Sequence, residues 1–275
     1  MLLPYSLQTT MDADSPPAAQ IKIHRLWDEL ADFPASRTGE ALVHLMETLC
    51  GWLRADNALW IGGVRVAAGT VGRQDPQHGW RGRVLSPLYP HTSPQEQLSR
   101  RAMREQDTDP GMTTRTITAQ AGEFRVHRLR DGFVDFARFR RTAHYKTFYQ
   151  EAGLTDRIWV VMPVNEDAES YFLFDLYHTR RRFSSVDAEL AGHALRGLKW
   201  FHRHLMLSHG LLVADTRLTP SQRRVLALLL TAAKEADIAA TLKLSPGTVH
   251  QYAVELYRKL GVRGRAGLLS LWLGH

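Results

Sequence analysis

The sequence is poor in the residues that form disulfide or zinc-bound frameworks. It has one cysteine, Cys50, among 275 residues, which excludes an internal disulfide and a cysteine-based zinc site. No run of about 18 apolar residues occurs, so a membrane-spanning helix is not expected. The opening MLLPYSLQTT lacks the basic and apolar parts of a secretory signal. These absences predict a cytoplasmic chain that does not enter a membrane.

The motifs of common enzyme classes are also missing. The sequence has no GxSxG nucleophile elbow, no HExxH, no Walker loop and no CxxC pair. His202 and His204 point to nearly opposite sides of one predicted helix, so they do not indicate a metal site. We therefore expect no catalytic residue, no metal ion and no cofactor.

Positive charge is concentrated at the C-terminal end. The whole chain has 35 basic and 28 acidic side chains, a formal net charge of +7. Residues 218–275 hold eight basic and three acidic side chains, a surplus of five. Most of the excess charge lies in about one fifth of the length, which is typical of a surface that binds phosphate.

The same region has a regular series of helix start signals. Residues 218–267 read LTPSQRRVLALLLTAAKEADIAATLKLSPGTVHQYAVELYRKLGVRGRAG. Thr219 with Gln222 predicts a capping box, and Ser245 followed by Pro246 predicts another helix start. A shorter helix around Ile238 lies between them. This order of short capped helices predicts a helix-turn-helix.

The third helix of this series, at residues 246–260, has one apolar and one polar side. Val249, Ala253 and Leu256 recur at the spacing of one buried stripe. The opposite side carries Thr248, His250, Gln251, Val254, Glu255 and Arg258. Such a mixture of donors, acceptors and one apolar side chain suits the DNA major groove, the alternative being a solvated face. Arg223, outside the apolar stripe of the first helix, is also expected to contact DNA.

This segment resembles the LuxR-type (LuxR/FixJ) DNA-binding domain. It shares the LTPxxxxVL opening, the IAxxLxLSxxTV core and the YRKLGVxxRA ending. The resemblance implies an all-α four-helix domain in which His250, Gln251 and Val254 face the bases of double-stranded DNA. It also implies that Lys259 contacts a phosphate.

The segment departs from the family pattern at four positions. Gln222 replaces an acidic residue, Ala232 a glycine, Lys234 a capping serine and His250 a lysine. The second helix should therefore lack its usual side-chain cap, and the base contacts should differ from those usual in the family.

The last predicted helix is apolar on two faces. One face can close the small domain, and the other is expected to pair with a second copy around a two-fold axis. The homodimer contacts are assigned to Leu268, Leu269 and Trp272. The resemblance agrees, and the alternative is packing of this helix against the rest of the same chain.

The remaining sequence predicts an α+β domain with an antiparallel sheet and flanking helices. Expected helices cover residues 20–32, 39–55, 93–105, 139–152 and 185–208. Expected strands cover 58–67, 83–89, 157–163 and 171–177, with further strands in 113–129. The last two named strands form a hairpin at the centre of the sheet. We divide the chain into a flexible tail (1–19), a sensor domain (20–184), a long coupling helix with a linker (185–216) and the DNA-binding domain (217–275).

The order of these elements resembles a GAF/PAS-like sensor. The sequence lacks the complete signatures of two other sensor types. Asp75-Pro76 and Asp109-Pro110 match part of the signature of acyl-homoserine lactone receptors, but the Trp and Tyr spacing of that signature is absent. The acidic pair, phosphoacceptor and lysine of a phosphorylated receiver are not found in order.

A small-molecule pocket in this domain should be lined by aromatic side chains. The assigned candidates are Trp60, Trp80, Tyr145, Tyr149, Trp159 and Tyr171. Core packing is the alternative for each, because aromatic side chains bury large areas without any binding role.

Together these patterns predict a dimeric, sequence-specific transcription regulator controlled by a signal or small molecule. The alternative is a ligand-free adaptor or anti-activator whose N-terminal half is a protein-interaction module. Stabilisation by a small molecule, as opposed to stabilisation by a protein only, would distinguish the two.

Overall fold

The computed structural model describes residues 16–67, 69–72, 74–89, 94–213 and 217–274. Helices and strands alternate irregularly along its N-terminal part. In chain order they are α1 (Pro16–Ala31), α2 (Thr38–Leu53), β1 (Asn57–Arg65), β2 (Trp80–Pro87), α3 (Pro94–Glu105), α4 (Gly111–Ala119), β3 (Arg125–Arg128), α5 (Phe136–Phe139), α6 (Ala143–Tyr145), a π-helical turn (Lys146–Gln150), β4 (Leu154–Asn165), β5 (Ala168–Tyr177), α7 (Ser185–Arg196) and α8 (Lys199–Ser208). A 3₁₀ turn at Ala35–Arg37 joins α1 to α2. Most of the tail predicted at 1–19 lies outside the described residues, and its last four residues belong to α1 rather than to a tail.

The five strands form one antiparallel sheet in the order β2-β1-β5-β4-β3. The β4–β5 hairpin lies inside this sheet, with Trp159 opposite Leu173. The predicted antiparallel sheet with flanking helices and its central hairpin are thereby confirmed.

Helices cover both faces of the sheet. Neighbouring strand residues point to opposite faces, so Trp60 joins the core formed with α1, α2, α7 and α8. Leu59 and Leu173 face the other way and pack with Ile117, Phe139 and Tyr149 of the second helical layer. A strand of this sheet therefore contributes to two separate cores.

The strands predicted at residues 113–129 are largely wrong. Residues Gly111–Ala119 form α4, and only Arg125–Arg128 form a strand. Thr116 and Thr118 satisfy their hydroxyls by donating to the carbonyls of Met112 and Thr114, at 3.1 and 2.9 Å. Burial of Ile117 on the sheet outweighs the strand preference of its β-branched neighbours.

The helix predicted at residues 139–152 is interrupted. The hydroxyl of Thr142 donates to the carbonyl of Phe139 at 2.8 Å and accepts from the amide of Tyr145 at 3.1 Å. It thereby ends α5 and caps α6. The chain continues as the π-helical turn, a form that is rare and frequent at functional sites.

The single long coupling helix predicted at residues 185–208 is also wrong. The structure has two helices, α7 and α8, separated at Gly197 and Leu198. The indole of Trp27 donates to the carbonyl of Ala194 at 2.8 Å, and the amide of Leu198 donates to the carbonyl of Leu195 at 3.1 Å. Both helices pack on the sheet, so they belong to the N-terminal core and do not form a projecting rod.

The C-terminal part is all-helical, as predicted. It consists of α9 (Pro220–Leu229), α10 (Glu235–Leu242), α11 (Pro246–Lys259) and α12 (Gly264–Leu273). The capping box of α9 is present, because the amide of Thr219 donates to Gln222 Oε1 at 3.0 Å and the amide of Gln222 to Thr219 Oγ1 at 3.2 Å. In α10, Asp237 replaces part of the missing cap by accepting from the amide of Lys234 at 2.9 Å.

Candidate DNA interface and candidate ligand cavity

Helix α11 follows a tight turn and is held in place by a cap and a buried stripe. Ser245 Oγ accepts from the amide of Thr248 at 3.0 Å, and Pro246 occupies the first turn. Val249, Ala253 and Leu256 are fully buried against α9, α10 and α12. The opposite side of α11 is therefore directed away from the domain core.

That outward side carries most of the predicted base-contacting residues. His250, Gln251, Val254 and Arg258 are exposed. Val254 has 52% of its surface exposed although it is apolar, so it adds nothing to the core and is free to contact a thymine methyl group. Thr248 and Glu255 are half-buried at the edge of this surface. We call the exposed side chains of His250, Gln251, Val254 and Arg258 the groove face.

Lys259, the predicted phosphate contact, lies beside the groove face, and its ammonium group already contacts two side chains of the same domain. Its Nζ lies 3.3 Å from Gln222 Oε1 and 3.8 Å from Glu255 Oε1. The lysine thus links α11 to the capping residue of α9. It reaches a phosphate only by sharing or leaving these contacts.

Arg223 does not occupy the free surface predicted for it. It lies on α9 and is half-buried, and its Nε is buried without a hydrogen-bond partner among the described residues. Burial lowers the pKa of this guanidinium. Its charge in turn acts on His209 at the end of α8. Because α9 packs on α8 and on the 3₁₀ turn, Arg223 is less exposed than the groove face, and its contact with DNA stays a prediction.

Helix α12 leaves less surface for a dimer than predicted. Leu268 and Trp272 are buried in the core of their own domain, at 0% and 5% exposure. Tertiary packing inside one chain therefore overturns the dimer role of these two residues. Leu269 and Leu273 remain exposed, at 39% and 77%.

A cavity of about 160 Å³ lies in the N-terminal part, between the sheet and α3, α4 and the π-helical turn. Its wall is mainly apolar. The apolar lining includes Leu59, Ile61, Leu85, Leu98, Ile117 and Leu173. Four of the predicted aromatic residues also line it: Trp80, Tyr149, Trp159 and Tyr171.

The other two predicted ligand residues are not at the cavity. Trp60 is fully buried on the opposite face of the sheet, where its indole donates to Ser170 Oγ at 2.8 Å. Strand alternation explains this placement, because Leu59 and Ile61 lie on the cavity side of the strand. Tyr145 lies behind the wall and stacks on Tyr149 with ring centroids 5.4 Å apart.

One end of the cavity is polar and internally paired. Arg157 donates through two nitrogens to the Asp175 carboxylate, with Nη2 at 2.6 Å from Oδ2, and the Tyr177 hydroxyl donates to Oδ2 at 2.8 Å. Burial disfavours the charge on Arg157, but Asp175 outweighs it and raises the pKa of the guanidinium. Tyr149 and Thr113 pair through their hydroxyls at 3.3 Å, and burial raises the pKa of Tyr149.

A second paired group adjoins Tyr171. Arg125 donates to both oxygens of Glu169, at 2.9 and 2.8 Å, and the Tyr171 hydroxyl donates to Oε2 at 2.6 Å. Each carboxylate of these two groups therefore faces an arginine. The charged side chains of these two groups are paired with each other. They therefore present polar atoms but no unpaired formal charge.

Sequence reasoning missed Arg157, Asp175 and Tyr177 because their strands were interpreted as purely apolar core. A usable signal was present. An arginine and an aspartate within buried apolar strands are rarely tolerated unless they pair, and these two face each other in the β4–β5 register.

The described part of the chain also lacks a metal-binding cluster and a membrane-spanning helix. No group of three or more side chains there could hold a metal ion. No helix there combines the length and apolar character needed to cross a bilayer.

The C-terminal architecture, three short helices around a tight turn with an outward polar face and a fourth closing helix, is that of a helix-turn-helix domain. Residues 216–271 match the family described as "Bacterial regulatory proteins, luxR family". This segment is therefore similar to the DNA-binding domains of that family, in agreement with the resemblance stated from its motifs.

Individual relatives are similar over different parts of the chain. The probable HTH-type transcriptional regulator GfsR of Streptomyces halstedii is 38% identical over 58 residues, which are 21% of this chain and 24% of GfsR. This chain thus aligns with about a quarter of that relative. A putative HTH-type transcriptional regulator in the exeN 3′ region of Aeromonas salmonicida is 27% identical over 151 residues, 46% of this chain and 77% of the relative.

Among solved structures, Escherichia coli SdiA superposes with a TM-score of 0.48 at 12% sequence identity. The superposition covers 91% of this chain and 95% of SdiA.

Proposed function

We propose that this chain is a transcription regulator, and not an enzyme, that binds double-stranded DNA through the groove face of α11. The observation that carries this proposal is the exposure of that face in a domain similar to those of the luxR family. Gln251 can pair with adenine, Arg258 can reach guanine or phosphate, and Val254 can touch a thymine methyl group. The surplus of basic side chains in residues 218–275 adds attraction to phosphate.

Selection of binding sites from a random duplex library tests this proposal. The full chain should enrich one motif. Gln251→Ala should lose the preference at one position, at a cost of about 1–3 kcal/mol for the correct base. Gln150→Ala is the matched control, because Gln150 is exposed in the N-terminal part. Enrichment of the same motif at unchanged affinity by Gln251→Ala would contradict the assignment.

Lys259 should act differently from the groove face. Lys259→Ala should weaken binding to all sequences about equally and reduce the dependence on salt by about one unit of slope, as loss of one phosphate contact does. Because Lys259 also contacts Gln222, unfolding of the variant is measured in parallel. The control is Lys146→Ala, an exposed lysine in the N-terminal part. A changed base preference in Lys259→Ala would contradict the phosphate role.

We further propose that the N-terminal cavity binds an uncharged, mainly apolar small molecule. An engineered apolar cavity of about 150 Å³ holds benzene, so a cavity of about 160 Å³ is large enough for a small ligand or part of a longer one. The two arginines that line it are already paired with carboxylates, Arg81 with Asp75 and Asp107 and Arg157 with Asp175. A charged ligand would therefore be desolvated there without an opposite free charge to compensate.

Thermal unfolding with n-octanol and with pooled uncharged metabolites tests the cavity. Binding to the folded state raises Tm. Ala102→Phe should abolish the increase because Ala102 lines the cavity, whereas Ala137→Phe on the exposed side of α5 should retain it. If only a protein partner stabilised the chain, the adaptor or anti-activator function would replace the sensor function.

We also propose that the regulator acts as a homodimer. Two recognition helices about 34 Å apart, one turn of DNA, would match a two-fold operator. The surface left for pairing on α12 is that of Leu269 and Leu273. Occupation of the cavity would then shift the population of DNA-competent dimers.

A further inference from the structure

The groove face has a neighbour on α10 that sequence reasoning did not single out. His250 Nδ1 lies 3.1 Å from Oε2 of Glu235, the first residue of α10. The side chains are 66% and 40% exposed. Both are therefore accessible to DNA that occupies the groove face.

The backbone that carries Glu235 is held firmly. Arg265 of α12 donates to the carbonyls of Leu229 and Ala233 at 2.8 and 2.6 Å, across the loop that leads into α10. The carboxylate of Asp237 accepts from the amide of Lys234 and begins the helix. The position of Glu235 beside α11 is thus set by contacts that do not involve His250.

The contact determines which nitrogen of His250 carries a proton. An ionised carboxylate only accepts hydrogen bonds, so Nδ1 must donate to Glu235. A neutral imidazole has one protonated nitrogen, and Nε2 is then left as an acceptor. In the major groove the donors are the amino groups of adenine and cytosine, whereas guanine presents only acceptors.

We propose that Glu235 is a positioning residue that makes His250 an acceptor and thereby directs it to an adenine or cytosine. This inference rests on the proposed DNA-binding function. Without Glu235, the imidazole can also present Nε2–H, which suits N7 or O6 of guanine. Glu235 would then determine one base of the operator without touching DNA.

The test is selection from a random duplex library at pH 8.5, where a free imidazole is neutral. The full chain is compared with Glu235→Gln, Glu235→Ala, His250→Ala and the double variant Glu235→Ala/His250→Ala. Glu189→Gln controls for the loss of one negative charge, because Glu189 is exposed on α7. Melting of each variant is measured to show that the domain remains folded.

We expect one motif position to favour adenine or cytosine in the unaltered chain. Both Glu235 variants should reduce the discrimination against guanine there by about threefold or more, the weight of one hydrogen bond. His250→Ala should remove the preference at that position, and adding Glu235→Ala should change nothing further. Glu189→Gln should leave the motif unaltered.

Three outcomes would overturn this inference alone. One is a motif that both Glu235 variants retain at every position, and another is an effect of Glu235→Ala that persists in the His250→Ala background. A preference for guanine at the His250 position in the unaltered chain would also overturn it. Failure of the unaltered chain to enrich any motif would overturn the proposed DNA-binding function itself.

Discussion

At the scale of single residues, a chain of hydrogen bonds crosses the larger core. Trp60 Nε1 donates to Ser170 Oγ at 2.8 Å, and the Ser170 hydroxyl donates to His202 Nδ1 at 2.8 Å. His202 Nε2 donates to the carbonyl of Leu195 at 3.1 Å. Only a neutral imidazole satisfies both ends of this chain. Burial accordingly lowers the pKa of His202 to about 4.

This histidine predicts a loss of stability in mild acid. In the unfolded chain an imidazole titrates at about 6.5. Below that pH the unfolded state binds a proton at His202, whereas the folded state keeps this imidazole neutral. The free energy of unfolding should therefore fall between pH 6.5 and about 4, by about 1.4 kcal/mol per pH unit for one such group. Urea denaturation at several pH values measures the slope.

His202→Gln should remove the contribution of one titrating group to the pH dependence of the free energy of unfolding. The glutamine retains one hydrogen-bond donor and one acceptor. The exposed His193 supplies the control, His193→Gln, which should keep the slope. His209 contributes in the same direction, since burial and the charge of Arg223 lower its pKa to about 3. Some slope should thus remain in His202→Gln, and a slope equal to that of the unaltered chain would contradict the assignment.

At the scale of elements, the break between α7 and α8 is decided by a neighbour from α1. Gly197 has an ordinary helical φ of −71°, so its backbone does not require glycine. A Cβ at this position would lie 2.3 Å from the ring of Trp27. The close approach of the rigid indole is what requires a residue without a side chain.

Gly197→Ala therefore isolates packing from backbone preference. Overpacking against Trp27 should lower the free energy of unfolding by about 1–3 kcal/mol. Gly39→Ala in α2 has nothing within 4 Å of the added Cβ and should instead raise the free energy of unfolding by about 0.4–1 kcal/mol. Equal stabilisation by the two substitutions in urea denaturation would show that Trp27 does not restrict the break.

At the scale of the whole molecule, the C-terminal helix is attached to the N-terminal part. Arg203 Nη1 of α8 donates to the carbonyl of Leu271 at 2.8 Å, and His204 Nε2 donates to that of Trp272 at 3.1 Å. Leu207 of α8 is buried in the core of the C-terminal helices. Helix α8 therefore contributes to the packing of both parts of the chain.

Because Leu268 and Trp272 are buried in their own domain, the predicted dimer surface on α12 is reduced to Leu269 and Leu273. The double variant Leu269→Ser/Leu273→Ser should shift the chain towards monomer, because burying one leucine contributes about 1.5–3 kcal/mol. Val186→Ser on α7 is the control, since Val186 is 69% exposed outside this surface. Sedimentation velocity measures the change. A double variant as dimeric as the control would place the two-fold contact elsewhere.

Local sequence determined those features whose causes lie within a few neighbouring residues. Thr219, Ser245 and the apolar spacing of α11 decide where the helices begin and which side is exposed, so the groove face could be derived. The β4–β5 hairpin followed from two apolar strands and a polar turn. Each of these features depends on local geometry and on burial of one continuous stripe.

Tertiary structure decided everything that depends on residues far apart in the chain. Trp27 breaks the α7–α8 segment from 167 residues away through its bond to Ala194, and packing within the same chain buries Trp272, which was predicted to lie at a dimer surface. Arg157 and Asp175 meet only through strand register. Periodicity specifies which side of an element is apolar. Which element covers that side depends on residues far away in the chain. Only the folded chain therefore determines which polar groups are removed from water and must find a partner.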